Sequence, residues 1–139
     1  MIVLDTNVLS ELMKSEPSQA VMLWVENQSP ASLFTTTVTQ AEIFYGLALL
    51  PISKRREALR TAAQTMFEED FSGRILPFDI AAAYQFAQIA AARKQAGRPI
   101  SQFDAQIAAI TRSRGAALST RNVSDFEGCG LQVLNPWNR

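Results

Sequence analysis

Apolar and polar positions along this chain switch repeatedly between two rhythms. Ile2-Val3-Leu4 is an unbroken apolar run, as in a strand buried on both faces of a parallel sheet. It stops at Asp5-Thr6-Asn7, residue types that favour turns and helix starts. Val8, Leu9, Leu12 and Met13 then recur at helical spacing. After the polar break Lys14 to Ser18, a second helical face carries Ala20, Val21, Leu23, Trp24 and Val25, closed by Pro30. Residues 32–38 are rich in β-branched and aromatic side chains and predict a second strand. A third helix opens at Thr39-Gln-Ala-Glu42, carries Ile43, Phe44, Leu47 and Leu50, and ends at Pro51. Ser53 caps a fourth, which buries Leu59, Ala62, Met66 and Phe67.

Past the Ser72-Gly73 break, residues 74–78 predict a short third strand with Pro77 near its end. Asp79 to Ala96 is Ala-rich and helical, stopped by Gly97 with Pro99 beyond. Ser101 starts another helix that runs through Arg112. Residues 116–120 and 131–134 predict the fourth and fifth strands, with a polar turn from Arg121 to Phe126 between them. Strands alternating with helices imply one α/β domain over 1–139, a three-layer α/β/α arrangement around a mostly parallel five-stranded sheet.

Composition narrows the chemistry. There is no histidine, which removes Ser-His-Asp and Cys-His catalysis and His-ligated zinc, and Cys129 is the only cysteine, which removes thiolate clusters. Lys+Arg and Asp+Glu both number 13, so a nucleic-acid substrate would have to be attracted locally. No apolar run approaches the ~18–20 residues that span a bilayer, and the N-terminus lacks a basic leader. The expectation is a cytoplasmic protein with no membrane association.

Three acids stand where a strand or loop hands over to a helix: Asp5, Glu42 and Asp104. At the carboxyl edge of an α/β sheet they could converge on a divalent cation, since Mg²⁺ takes carboxylate oxygens and waters. Thr39-x-x-Glu42 also matches a capping box, Ser101-x-x-Asp104 matches it more weakly because Glu or Gln is preferred at N3, and Asp5 or Thr6 could cap the first helix. Spacing alone leaves both open. The turn after the fourth strand adds Ser119, Thr120, Arg121, Asn122 and Asp125, whose hydroxyl and amide groups could position a water while Arg121 holds a phosphate. The basic clusters Lys54-Arg55-Arg56 with Arg60, and Arg93-Lys94 with Arg98, read as solvated helix ends.

The ordered set Asp5-Thr6-Asn7, Glu42, Asp104 and Thr120-Arg121-Asn122-x-x-Asp125-Phe126 resembles the PIN-domain family. More narrowly, with the closing Asn135-Pro136-Trp137, the chain is similar to VapC-type toxins of the FitB-like subgroup. The resemblance spans essentially the whole chain. It implies a metal-dependent ribonuclease, the toxic half of a bacterial toxin–antitoxin pair, acting on RNA to leave a 3′-hydroxyl and a 5′-phosphate. It also implies a VapB-type antitoxin partner and a homodimer. Carried over, Asp5 and Asp104 are the principal Mg²⁺ ligands (Mn²⁺ substituting), Glu42 is a third acid, and Thr6, Asn7, Thr120 and Arg121 lie on the substrate side. Asn122 stands where many relatives carry a fourth acid, which leaves the role open between Asn122 and Asp125.

A receiver-like phosphotransfer domain would need a lysine near the last strands, and Lys14, Lys54 and Lys94 all fall in or at the ends of helices. A non-catalytic interaction module would use the same acids as caps. Segments 39–50 and 55–71 also carry a surplus of apolar residues. Among them Phe44, Tyr45, Leu49, Met66, Phe67 and Phe71 predict a groove for an amphipathic antitoxin segment.

Overall fold

The computed structural model describes residues 1–138. Five short strands, β1 (Ile2–Leu4), β2 (Leu33–Thr36), β3 (Ile75–Leu76), β4 (Ala117–Ser119) and β5 (Val133–Leu134), form one sheet in the order β3-β2-β1-β4-β5. Every pairing among them is parallel. Six α-helices connect and cover the strands: α1 (Thr6–Leu12), α2 (Gln19–Glu26), α3 (Thr37–Ala48), α4 (Lys54–Thr65), α5 (Ile80–Gln95) and α6 (Gln102–Ser113).

Alternation along β1 explains the layers. Val3 packs into one core with Leu118 and the apolar faces of α5 and α6, among them Ile89, Ile107 and Ile110. Its neighbour Leu4 enters the opposite core with Val8 and Leu9 of α1, Val21 of α2, Ile43 and Leu47 of α3, and Phe67. Both residues are fully buried, as the uninterrupted apolar run requires. The order places the topological switch between β1 and β4, where connections leave for opposite sides of the sheet. Ligands of open α/β sheets sit beyond the carboxyl ends of such strands.

Several boundaries differ from the sequence reading. β2 ends at Thr36, and Thr37 and Val38 are already helical. Thr36 is the cap of α3, its hydroxyl accepting from the Thr39 amide at 3.0 Å. Glu42 therefore lies in the second turn and is no partner of a capping box. On α4 the buried alanine is Ala63, and Ala62 is exposed. The helix continues from Thr65 into a π-turn, Met66–Asp70, which puts Met66 and Phe67 inside. Phe71 is buried too, so Met66, Phe67 and Phe71 belong to the core and not to a surface groove. Arg93 is also buried, against the expectation of a solvated helix end. The stop at Gly97 holds: its φ of 73° is open to glycine at little cost.

Candidate active site

Asp5 follows the last residue of β1. Its amide donates to Ser119 O of β4 at 2.9 Å, so the backbone ladder continues one step past the strand and brings the carboxylate to the switch point. Oδ1 accepts from the Thr6 amide at 2.8 Å, which caps α1. Oδ2 accepts from Thr120 Oγ1 at 2.8 Å, with Asn7 Nδ2 at 3.4 Å. Thr120, fully buried just beyond β4, is the hub of this corner, since its hydroxyl oxygen also accepts from Asn7 Nδ2 and the Asn122 amide, both at 3.1 Å. Asn7 Oδ1 in turn accepts from the Arg121 amide at 3.2 Å. Two chain segments more than a hundred residues apart are thus fastened through one Asp, one Asn and one Thr.

Removing the hydroxyl tests this corner. Thr120→Val keeps the shape but leaves Asp5 Oδ2 short of a donor and the Asn7 and Asn122 donors short of an acceptor. It should cost about 1–3 kcal/mol in denaturant unfolding, the scale of a buried bond to an ionisable group. A loss below about 0.5 kcal/mol would mean these contacts carry no net stability.

The other acids arrive from helices. Glu42 of α3 is half-buried and accepts from Thr6 Oγ1 at 2.8 Å, with Thr39 Oγ1 3.1 Å from the same hydroxyl. Asp104 sits in the first turn of α6, whose cap Ser101 accepts from the Asp104 amide at 3.2 Å. Asp5, Glu42, Asp104, Thr6, Asn7, Arg121 and Asn122 line one recess of about 400 Å³. Asp125 does not line it; the residue is exposed on the 3₁₀ turn Val123–Phe126. Among the described residues no three acids form a compact group able to enclose an ion. The expectation that Asp5, Glu42 and Asp104 close around one cation-sized space is to that extent corrected: they share a recess without forming a cage.

Burial and mutual repulsion push these acids toward protonation. Burial lifts the Asp5 carboxyl to about 6; hydrogen bonds from Thr120 and Thr6 oppose the rise, and the charges of Asp104 and Glu42 add to it. Glu42 is raised by burial, opposed by Thr6 and reinforced by Asp104. Asp104 is raised by burial, opposed by the Ser101 hydroxyl, raised further by Asp125 and lowered again by Arg93. The charge of Asp104 raises both other acids.

Residues 2–126 match the family described as the PIN domain. This chain belongs to the PIN-domain family. It is 41% identical over 137 residues to VapC ribonuclease Y4jK of Sinorhizobium fredii, covering 99% of this chain and 98% of that one. Toxin FitB of Neisseria gonorrhoeae is 34% identical over 138 residues, 99% of each. The solved structure of FitAcB from Neisseria gonorrhoeae superposes with a TM-score of 0.93 at 34% identity, covering all of both chains.

Within this PIN domain the recess also includes Glu11, which sequence reasoning passed over, and Trp137, which it named only in the closing motif. Glu11 lines it and is buried, although exposed carboxylates are the norm. Its Oε2 accepts from the Ser18 amide at 2.9 Å and its Oε1 from Lys14 Nζ at 3.0 Å. The Ser18 amide and Lys14 hold its carboxyl below the usual range. Glu11 follows Asn7 by four positions on α1, a spacing that puts both on one helix face and could have revealed it. Trp137 lines the recess as well, with the Arg121 guanidinium stacked 5.1 Å from its ring centroid.

Proposed function

We propose that this PIN domain is a Mg²⁺-dependent endoribonuclease and the toxin of a toxin–antitoxin pair. The observation that carries the reading is the recess itself. Three raised carboxylates come to it from three separate elements at the switch point of a parallel sheet, and of these side chains only Asp5 is itself a helix cap. The donor set is all oxygen and hard, which suits Mg²⁺ or Mn²⁺ and no soft metal. Mg²⁺ is ordinarily held by one or two carboxylates and waters, so a cage of three acids is not required.

Asp5 and Asp104 are the principal ligands in this reading, and Glu42 is the third acid, held in place by Thr6. A divalent cation bound there would make a water more acidic and offset charge on the phosphodiester. Asn122 lines the recess where Asp125 does not, so the fourth position falls to Asn122 as a neutral orienting group. Thr6, Asn7 and Thr120 hold the acids in place, and Arg121, pinned over Trp137, presents a cation to substrate phosphate. A water adds to phosphorus, the bond to the 3′-oxygen breaks, and that oxygen takes a proton. The products are a 3′-hydroxyl and a 5′-phosphate.

The partners follow from the surface. A recess of about 750 Å³ between α1, α3 and α4 is lined by Met13, Ile43, Leu47, Leu50 and Leu59 and meets the acid recess at Thr6, Lys14 and Glu42. An amphipathic antitoxin segment laid there could set a basic side chain against the acids. Phe78, Ile80 and Tyr84 are exposed around the start of α5 and offer apolar surface to a second copy in a homodimer.

Purified protein incubated with a mixed RNA pool should release fragments bearing 5′-phosphates, with activity lost in EDTA and restored by Mg²⁺ or Mn²⁺. Metal-independent cleavage, or none with either ion, would sink the reading. Co-purification with the product of a small neighbouring gene, read by light scattering, tests the partner and the dimer together. A monomer indifferent to that product would remove both.

A further inference from the structure

Arg93 is a buried cation that does not line the recess and has so far entered only through its charge on Asp104. It stands in the last turn of α5, 7% exposed, and no ion pair among the described residues includes it. Burying a guanidinium without a carboxylate is costly unless other acceptors take up its donors. Here they do. Nε donates to Arg98 O at 2.7 Å, and Nη1 donates to Asp125 O at 2.8 Å and Glu127 O at 3.1 Å, with Cys129 Sγ at 3.5 Å.

These acceptors belong to two separate loops. One leaves the end of α5 through Arg98 and reaches Ser101, the cap of α6, whose first turn carries Asp104. The other begins at Asn122, in the recess, and runs to Cys129. Gly128 turns that loop at φ 76° beside the Arg93 stem. A second, outer tie joins the same loops: Arg98 Nη1 meets Glu127 Oε2 at 3.0 Å, and Nη2 donates to Ser124 O at 3.4 Å.

We propose that Arg93 is a positioning residue whose single guanidinium holds the α5–α6 loop and the Asn122–Cys129 loop together, setting Asp104 and Asn122 opposite Asp5. The proposal rests on reading those acids as the metal-binding set. Lysine could not substitute. Its ammonium is a point charge without the planar fork that reaches carbonyls on two loops at once.

Arg93→Lys and the exposed-side variant Arg98→Ala test this beside the unaltered protein. The measurements are hydrogen exchange of residues 96–104 and 121–130, Mn²⁺ affinity by calorimetry, and cleavage as a function of Mn²⁺ concentration. Arg93→Lys should unfold cooperatively, exchange faster in both loops together, and bind Mn²⁺ about tenfold or more weakly, with cleavage recovering at saturating Mn²⁺. Arg98→Ala should move the same quantities less. A merely structural arginine would lower the melting temperature and leave Mn²⁺ affinity alone. A folded Arg93→Lys with unchanged affinity, or with only one loop loosened, overturns the proposal. Should Arg93→Lys not fold, hydrogen exchange of the unaltered protein across a denaturant series decides: the two loops should open together with one free energy, and separate opening free energies overturn the proposal. If the unaltered protein binds no Mn²⁺, the metal reading fails on its own, and the paired exchange still decides whether Arg93 is the clamp.

Discussion

Asp104→Asn should lower RNA cleavage by at least about a hundredfold while the protein stays folded, because a metal ligand contributes several kcal/mol to the reaction and about 2.7 kcal/mol is already a factor of 10². The substitution keeps the shape of the side chain and removes its charge. Its structural cost is small: Ser101 still accepts from the residue 104 amide, and losing an acid from the first turn of α6 forfeits about 0.3–1 kcal/mol of helix-dipole interaction. Relief of repulsion works the other way, since Asp104 adds to the strain on both Asp5 and Glu42. The melting temperature at neutral pH without metal should therefore stay level or rise. A pure capping residue would show the reverse, with full cleavage and a modest loss of stability. Retained cleavage that EDTA still abolishes would move the essential ligand elsewhere.

The sheet was legible because each strand is a short apolar run cut off by turn-forming residues, and such runs make parallel strands covered on both faces. The acids at their ends were legible for the same reason: Asp5 stands directly after Leu4 and Thr120 directly after Ser119. What misled was competition between local signals. Thr35 to Val38 is β-branched throughout and reads as strand, yet Thr36 caps α3 and converts the last two into helix. That shift of cap from Thr39 to Thr36 also removed the bland reading of Glu42. Ala62 and Ala63 are indistinguishable by composition, and only the frame set by Leu59, Met66 and Phe67 selects the second. Arg93 and Glu11 look like surface charges, and nothing local announces that Arg93 takes up distant loop carbonyls or that Glu11 accepts the Ser18 amide.

Metal-free protein should become more stable as pH falls from about 6 toward 4, the opposite of ordinary acid destabilisation. The folded-state Asp5 carboxyl titrates at about 6 against an ordinary value of 3.8, so between those limits the folded state holds more protons than the unfolded one. Stability then decreases with rising pH across that window. The displacement corresponds to about 3 kcal/mol, present in full below the unfolded value and lost above about 6. Glu42 and Asp104 are raised as well and add in the same direction. Glu11, held low by the Ser18 amide and Lys14, works oppositely and bounds the gain on the acid side. Denaturant melts in EDTA at pH 7.5 and 5 measure the difference. Asp5→Asn should raise stability at pH 7.5 and flatten most of the dependence. Saturating Mg²⁺ should also flatten it, by stabilising the charged acids at pH 7.5, where the metal-free protein is weakest. A metal-free protein that loses stability steadily from pH 7.5 to 5 would show that the acids are well solvated and ordinary, and the recess would then lack the charge strain that a bound cation relieves.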